Sequence, residues 1–261
     1  MTIKEVKNGV TFYRSTLLQS PHAFSTRLGG VSQAPHLASM NLGRGRGDDE
    51  ATVCENYRIF LAAADLPSRV VSANQIHSDI ILHAAEVPEA APDCDGFVSA
   101  APNLTLAVKT ADCLPVLMED SEAGVVAAVH AGWRGSAKGI LCRALNQMER
   151  LGAKRERVRA VIGPRIGVCC FEVKDDFVSE YRTLLGDFGD KFLVFENDRI
   201  FCDLPALNRA LLLENGVLEE HFEDSGLCTC CAPDLFFSHR ASRGLRGTMA
   251  ARIATPNSAS V

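Results

Sequence analysis

The chain has 261 residues, of which 47% are hydrophobic and 23% are charged, and its formal net charge is −5. This composition is typical of a globular protein with a full hydrophobic core, and the net charge gives no sign of an electrostatic nucleic-acid binder. Residues 1–10 lack the apolar segment of a signal peptide and no apolar run has membrane length, so the sequence predicts a cytoplasmic protein without a membrane partner.

The first part of the chain predicts short strands and one helix. Apolar runs bounded by turn residues predict strands at residues 6–14, 23–25, 70–72, 80–83 and 97–99. Asp48, Asp49 and Glu50 precede an amphipathic pattern that predicts a helix over residues 51–64. Acids in the first turn are favoured by the helix dipole.

The second part predicts strands at residues 106–108, 125–129, 158–162 and 248–253. Helices are predicted at residues 136–151 with Ser136 as the cap, at 175–185, and from an Asp203 cap to residue 214. Residues 255–261 are expected to be a frayed tail. Strands and helices mix without a regular βαβ repeat, which favours an α+β fold, and no linker divides the chain, so residues 1–261 are predicted to form one domain.

Side chains that can act as metal ligands, nucleophiles or bases follow the ends of two central strands. The strand at 106–108 leads to Cys113, and the strand at 125–129 leads to His130 and a Gly-Trp-Arg-Gly turn. His77 lies upstream in a polar cluster at residues 74–79. Two imidazoles and one thiolate suit zinc and leave its fourth position open for water or substrate. We therefore hypothesise that His77, Cys113 and His130 bind one metal ion.

The spacing of these residues leaves other interpretations open. Cys113 could be a nucleophile with His130 as its base, oriented by Asp112 or Asp79, as in cysteine hydrolases. Copper also accepts two His and one Cys, usually with a weak axial ligand, for which Met118 is the nearest candidate in sequence. A buried cysteine with two hydrogen-bonded histidines is the purely structural alternative.

Two further features carry weaker signals. The glycine-rich segments at residues 26–32 and 39–48 contain arginines that could bind an anion, although a mobile polar loop with solvated arginines is the favoured interpretation from these residues alone. Among ten cysteines, Cys228, Cys230 and Cys231 form a rival metal or redox site, for which core packing or oxidation-prone thiols are the favoured interpretation. Cys169 and Cys170 are adjacent, and adjacent thiols in an extended chain point to different faces and rarely chelate together.

Several motifs occur in a characteristic order. They include residues 26–32 (TRLGGVS), 75–77 (QIH), 110–116 (TADCLPV), 130–135 (HAGWRG), 169–173 (CCFEV) and 236–238 (FFS). This pattern closely resembles the YfiH family, also called the multicopper polyphenol oxidase or laccase-domain family, over about residues 20–253. The resemblance implies a sandwich of two mixed β-sheets flanked by helices in α/β/β/α layers.

The resemblance also implies an activity and a site. Family members look like zinc-dependent purine nucleoside phosphorylases that act on adenosine, inosine, guanosine and methylthioadenosine and can deaminate adenosine, while copper and laccase activity are the older description. The implied partners are purine nucleosides and inorganic phosphate, and the chain is expected to be a monomer or a homodimer. His77, Cys113 and His130 match the metal and catalytic positions of the family. Arg44, Arg134 and Asn41 are our candidates for binding substrate or phosphate.

One departure from the family pattern concerns the arginine-rich loop. Many relatives have a histidine where this chain has Gly45. Any part that such an imidazole plays in binding metal or substrate is therefore in question for this chain.

Overall fold

The structure is a computed structural model that describes residues 1–255, and its strands form two large sheets and one small one. In the first half of the chain the strands are β1 (Thr2–Lys7), β2 (Val10–Ser15), β3 (His22–Ser25), β4 (Val70–Ser72), β5 (Ile81–His83), β6 (Gly96–Ser99), β7 (Thr105–Thr110) and β8 (Leu114–Asp120). They are followed by β9 (Val125–Ala131), β10 (Arg159–Ile162), β11 (Glu172–Val173), β12 (Leu193–Glu196), β13 (Arg199–Cys202), β14 (Phe222–Asp224) and β15 (Met249–Ala254).

The α-helices of the described residues lie between these strands. They are α1 (Glu50–Ala63), α2 (Trp133–Ala137), α3 (Ile140–Arg150), α4 (Asp175–Asp190) and α5 (Leu204–Glu214). Within residues 1–255, no helix is both long enough and apolar enough to cross a membrane.

The two large sheets are both mixed. The first has the order β1-β2-β3-β15-β7-β4, in which only β4 and β7 run parallel. The second has the order β14-β10-β8-β9-β6-β5, with parallel pairs at its two edges. A small antiparallel sheet, β11-β13-β12, accompanies them.

The large sheets pack face to face. Phe24, Val108 and Met249 of the first sheet share a buried core with Leu117 and Val126 of the second. On the other side of the first sheet, Phe60 of α1 packs with residues of β2 and β15. Helices α3, α4 and α5 cover the outer side of the second sheet. The predicted α+β sandwich with helices on both sides is therefore confirmed.

Strand β8 was missed by the sequence analysis although it is buried along its whole length. Pro115 and the acidic pair Glu119 and Asp120 do not look like a central strand. The structure explains the acids by their partners, because Glu119 accepts hydrogen bonds from the backbone N–H groups of Gln19 and Ser20, and Asp120 pairs with Arg157 at 2.8 Å. A buried carboxylate is tolerated where such partners are supplied.

The helix predicted at residues 136–151 is divided into α2 and α3. Gly139 has a φ of 79°, a left-handed conformation that ends α2 and begins α3, so Ser136 lies inside α2 and caps neither helix. The helix predicted to end at residue 185 continues to Asp190, with a kink at Gly186. The strands β12 and β13 were also missed.

The first residue of the predicted tail is not frayed. Thr255 is buried, and its hydroxyl donates to the carbonyl oxygen of Ala101. The remainder of that predicted tail, residues 256–261, lies outside the described residues.

Candidate metal centre

The three side chains expected to bind metal come together at one end of the second sheet. Cys113 lies in the turn between β7 and β8, His130 is near the end of β9, and His77 belongs to the loop between β4 and β5. Their potential ligand atoms all lie within 4.8 Å of one another, and Cys113 Sγ is 4.0 Å from His77 Nε2. The rings of His77 and His130 are nearly perpendicular, with centroids 5.0 Å apart. Antiparallel pairing of β8 with β9 places Cys113 beside His130.

Asp95 holds this group together. Its carboxylate is fully buried and accepts hydrogen bonds from the backbone N–H groups of Ile76, His77 and Ser78 at 3.3, 3.1 and 2.6 Å. It also lies 2.7 Å from His130 Nδ1. An ionised carboxylate only accepts hydrogen bonds, so Nδ1 carries a proton, and Nε2 is the ring atom that can bind a metal once its own proton is lost. This is the arrangement by which a carboxylate orients a metal-binding imidazole.

Two residues at the site have unusual backbone conformations. His77 has a φ of 58° and Asp112 a φ of 95°, a region that non-glycine residues seldom occupy. The Asp112 carboxylate accepts hydrogen bonds from the Thr229 hydroxyl at 2.6 Å and the Arg240 N–H at 2.7 Å. Such strain persists where surrounding contacts impose it. The turns that present His77 and Cys113 are therefore held by tertiary hydrogen bonds.

Neither Asp112 nor Asp79 has the orienting role that the sequence suggested. Asp112 is occupied by Thr229 and Arg240, and Asp79 forms an ion pair with Arg143 at 2.6 Å. The orienting carboxylate is Asp95, which lies 2.7 Å from His130 Nδ1.

The protonation of the three groups is strongly linked. Burial opposes the ionisation of Asp95, but hydrogen bonds from His130 and Ser78 outweigh it and lower the pKa of Asp95 to about 2. Burial also opposes the charged forms of Cys113 and His130. Their mutual attraction nevertheless lowers the pKa of Cys113 to about 6 and, with Asp95, raises the pKa of His130 to about 9. Without a metal the site thus favours a Cys113 thiolate beside a protonated His130, and a metal ion would displace the proton from His130 Nε2.

The donor set and its spacing fit a zinc ion. A zinc–sulfur bond of about 2.3 Å and a zinc–nitrogen bond of about 2.0–2.1 Å sum to about 4.3 Å. The 4.0 Å between Cys113 Sγ and His77 Nε2 is shorter than that sum, so one ion can contact both atoms. Gly132 lies against the group, since a Cβ there would be 3.2 Å from His77 Cδ2 and 3.6 Å from Cys113 Sγ.

The three side chains open into a polar cavity of about 230 Å³. Four cationic side chains line it, those of Arg44, Arg46, Lys109 and Arg246. Burial, together with the charges of Arg44 and Arg46, lowers the pKa of Lys109. Burial and the charge of Arg46 likewise lower the pKa of Arg246. An anion in this cavity would relieve that mutual repulsion.

The sequence-predicted substrate residues occupy different positions. Arg44 lines the cavity, and its Nε is 2.8 Å from Glu50 Oε1. Asn41 is fully buried beside the cavity wall, where its side chain accepts from the N–H groups of Gly43 and Thr248 and donates to Asp48.

Arg134 is not among the residues that line the cavity. It makes paired hydrogen bonds of 2.8 Å to Glu180, and its guanidinium stacks 4.2 Å from the centre of the Trp133 ring. Met118, the candidate axial copper ligand, is buried in the core between β8 and α3 instead of facing the cavity.

Sequence reasoning missed the roles of Asp95, Lys109 and Arg246. It included Arg46 only as one of the arginines of the glycine-rich segment at residues 39–48. Lys109 carried a signal too, being a charged residue inside an otherwise apolar strand. Arg246 is 133 residues from Cys113 in the chain, and no local pattern connects them.

Comparison with known proteins agrees with this architecture. A family model described as multi-copper polyphenol oxidoreductase laccase matches residues 21–256. The chain belongs to this laccase-domain family, also known as YfiH. A Deinococcus radiodurans protein of the family, named purine nucleoside phosphorylase, is 39% identical over 254 residues, covering 95% of this chain and 94% of its own.

Other laccase-domain proteins are similarly close. A Mycobacterium tuberculosis protein, also named purine nucleoside phosphorylase, is 44% identical over 219 residues, which is 83% of this chain and 84% of its own. The crystal structure of YlmD from Geobacillus stearothermophilus superposes with a TM-score of 0.90 at 30% identity, covering 98% of this chain and 100% of that one.

Proposed function

We propose that this protein is a zinc-dependent purine nucleoside phosphorylase that cleaves nucleosides with inorganic phosphate. The observation that carries the proposal is a single cavity lined by His77, Cys113 and His130 together with four cationic side chains. Relatives that bear the name purine nucleoside phosphorylase support a phosphorylase-like enzyme. The expected substrates are adenosine, inosine, guanosine and methylthioadenosine.

In phosphorolysis an oxygen of phosphate forms a bond to C1′ of the ribose. The glycosidic bond breaks, its electron pair stays on the purine, and the purine takes up a proton. The products are the free base and ribose 1-phosphate. The protein must therefore bind a dianion next to a neutral nucleoside and orient the two.

The cationic side chains are suited to binding the phosphate. Arg46, Lys109 and Arg246 converge on the cavity, and guanidinium groups bind phosphate oxygens through paired N–H donors. Arg246 Nε is buried and makes no hydrogen bond within the described residues. Gln75 pairs its side-chain amide with both backbone groups of Lys109 at 2.7 and 2.8 Å, which fixes Lys109 relative to the His77 loop.

The metal would be held by His77, Cys113 and His130. Asp95 would keep the proton of His130 on Nδ1, so that Nε2 binds the metal. When bound, zinc supplies Lewis-acid polarisation of a reactant oxygen or nitrogen next to the phosphate. Copper is the alternative metal. Adenosine deamination, in which water replaces the amino group at C6 to give inosine and ammonia, is a second proposed activity of the same site, and it rests on the family resemblance.

A Cys-His hydrolase is the other candidate function. It is favoured by the contact between Asp95 and His130, because a nucleophile, a base and an orienting carboxylate are the parts of such a catalytic group. In that case Cys113 would attack a substrate carbonyl and would not bind a metal.

The decisive assay incubates the purified protein with inosine, with and without inorganic phosphate, and measures hypoxanthine, ribose 1-phosphate and bound metal. We expect equal amounts of the two products, formed only with phosphate, and loss of activity when a chelator removes zinc. Ribose without phosphate dependence would contradict phosphorolysis. Full activity of the metal-free protein would contradict a metal enzyme, and copper-dependent oxidation of phenols in place of nucleoside cleavage would favour a laccase.

A further inference from the structure

A second set of cysteines is gathered on another part of the surface. We define the thiol cluster as Cys169, Cys170, Cys228 and Cys231, whose sulfurs all lie within 4.8 Å of one another. Cys231 Sγ is 3.5 Å from Cys169 Sγ and 3.4 Å from Cys170 Sγ, and Cys169 Sγ is 3.7 Å from Cys228 Sγ. A disulfide requires about 2.05 Å, so all four are free thiols.

The chain segments that carry the thiol cluster are held together independently of the sulfurs. Arg165 and Cys228 form an isolated parallel β-bridge. The Arg165 N–H donates to Leu227 O at 3.1 Å, and the Arg165 carbonyl oxygen accepts from Thr229 N–H at 3.0 Å. Residues 167–171 form a tight turn, in which the N–H groups of Cys170 and Phe171 both donate to Gly167 O at 3.0 Å.

That turn explains why Cys169 and Cys170 do not point to different faces, as the sequence had suggested. Adjacent side chains diverge in an extended strand, but here the backbone curls, and both thiols contact Cys231. Cys228 and Cys231 have the Cys-x-x-Cys spacing common in structural zinc sites. Two thiols from each of two fixed segments thus face one point.

The spacing of the sulfurs suits a tetrahedral ion. Four thiolates at about 2.3 Å from a zinc ion lie about 3.8 Å from one another. Three of the sulfur–sulfur distances, 3.4, 3.5 and 3.7 Å, are slightly shorter than that value. No pair of the four sulfurs is more than 4.8 Å apart. The backbone N–H of Gly167 points to Cys228 Sγ at 3.3 Å, a donor that stabilises a thiolate.

We propose that the thiol cluster is a structural zinc site with four cysteine ligands, separate from the His77, Cys113 and His130 centre. All four coordination positions would be filled by protein, which is typical of a structural site and leaves no position for substrate. The ion would join the turn after β10 to the segment that precedes the last strand.

This second site would also support the first one. Thr229, next to Cys228, donates its hydroxyl to Asp112 at 2.6 Å, and Ile166 N–H donates to Asp112 O at 2.8 Å. Asp112 immediately precedes Cys113. A metal that fixes residues 167–171 and 228–231 would therefore stabilise the strained turn that presents Cys113.

The test is the zinc content of protein purified without oxygen and with a reducing agent. We expect about two zinc ions per chain in the wild type and about one in the double variant Cys228→Ser, Cys231→Ser. The matched control is Cys142→Ser, a free cysteine on α3 outside both groups, which should retain both ions. Equal zinc content in the wild type and the double variant would overturn the proposal.

Cobalt substitution provides a second measurement that does not require the double variant to fold. The Cys113→Ser variant has no thiolate at the first centre, so sulfur-to-cobalt charge-transfer absorption in it reports the thiol cluster alone. We expect absorption of the strength produced by four thiolates. Its absence in the folded variant, or a mass showing that the four thiols have formed disulfides in the anaerobic protein, would contradict a metal site. Neither result depends on phosphorolysis.

Discussion

At the scale of single residues, the candidate metal centre depends on a carboxylate that binds no metal in our proposal. Asp95 accepts from three consecutive backbone N–H groups, from the Ser78 hydroxyl and from His130. It therefore shapes the His77 loop and orients His130 at the same time. Removing the charge of Asp95 should therefore disturb both the His77 loop and the orientation of His130.

Asp95→Asn should lower zinc affinity about 10- to 100-fold, the usual effect of losing a carboxylate behind a metal-binding histidine. The amide also presents N–H donors to backbone N–H groups, so the protein should become less stable. Zinc affinity is measured by competition with a chelator, and unfolding by denaturant titration. Asp93→Asn, at an exposed site two positions away, is the control. If folded Asp95→Asn binds zinc with unchanged affinity, Asp95 does not contribute to zinc binding.

Arg246→Gln should raise the KM for phosphate by about 10- to 100-fold, because a hydrogen bond to a charged group contributes about 1.5–3 kcal/mol. The KM for inosine at saturating phosphate should change less. Arg134→Gln is the matched control, since Arg134 pairs with Glu180 and does not line the cavity. If Arg134→Gln has the larger effect on phosphate, the phosphate lies elsewhere.

At the scale of elements, local signals were most reliable for helix ends with side-chain caps. The predicted Asp203 cap occurs, since Asp203 accepts from Ala206 N–H at 3.0 Å. Asp49, one of the acids predicted to open the first helix, is the cap of α1 and accepts from Thr52 N–H at 2.8 Å. The helix predicted at 136–151 was wrong at its start because Gly139 adopts a left-handed conformation. A glycine inside an amphipathic pattern does not by itself reveal its φ angle.

Asp49→Ala should lower the free energy of unfolding by about 1 kcal/mol, the usual effect of losing an N-cap. Helix α1 packs against the outer side of the first sheet through Phe60, so the loss should appear in global unfolding. Glu50→Ala is the matched control, because its exposed pair with Arg44 contributes less than about 1 kcal/mol. Denaturant titration measures both variants, and equal losses would contradict the capping role.

At the scale of the whole molecule, a buried neutral histidine ties stability to pH. His22 lies on β3, where its Nε2 accepts from Ser15 N–H at 2.9 Å and its Nδ1 donates to Ser20 O at 2.7 Å. Burial lowers the pKa of His22 below 6.5. The unfolded chain therefore binds a proton at a higher pH than the folded one.

By proton linkage, stability should fall as the pH drops from 6.5 towards the lowered pKa of His22, by at most about 1.4 kcal/mol per pH unit from this group. Above pH 6.5 the contribution is constant. His22→Gln should reduce this slope, whereas His83→Gln, at an exposed site, should retain it. The measurement is denaturant unfolding between pH 5 and 8, and a slope that is the same in all three proteins would exclude His22 as its source.

How much of the molecule the sequence predicted also depends on scale. The α+β class, most strands and the capped helices followed from local patterns, because burial period and capping act within a few residues. Strand β8 was missed since its buried acids have partners far along the chain, such as Gln19 for Glu119 and Arg157 for Asp120. Charged residues in a sequence segment normally indicate that it is exposed to solvent, and only the positions of their partners show that this strand is buried.

The sequence by itself determined the family resemblance and made His77, Cys113 and His130 candidates for a metal site, because residue type and position relative to the strands are local properties. Only the tertiary structure decided that Asp95 orients His130, that Arg246 faces the cavity while Arg134 does not, and that four cysteines face one point. These are relations between segments that are distant in sequence. Distances between such segments are set by sheet pairing and by packing of the whole chain, so no local pattern contains them.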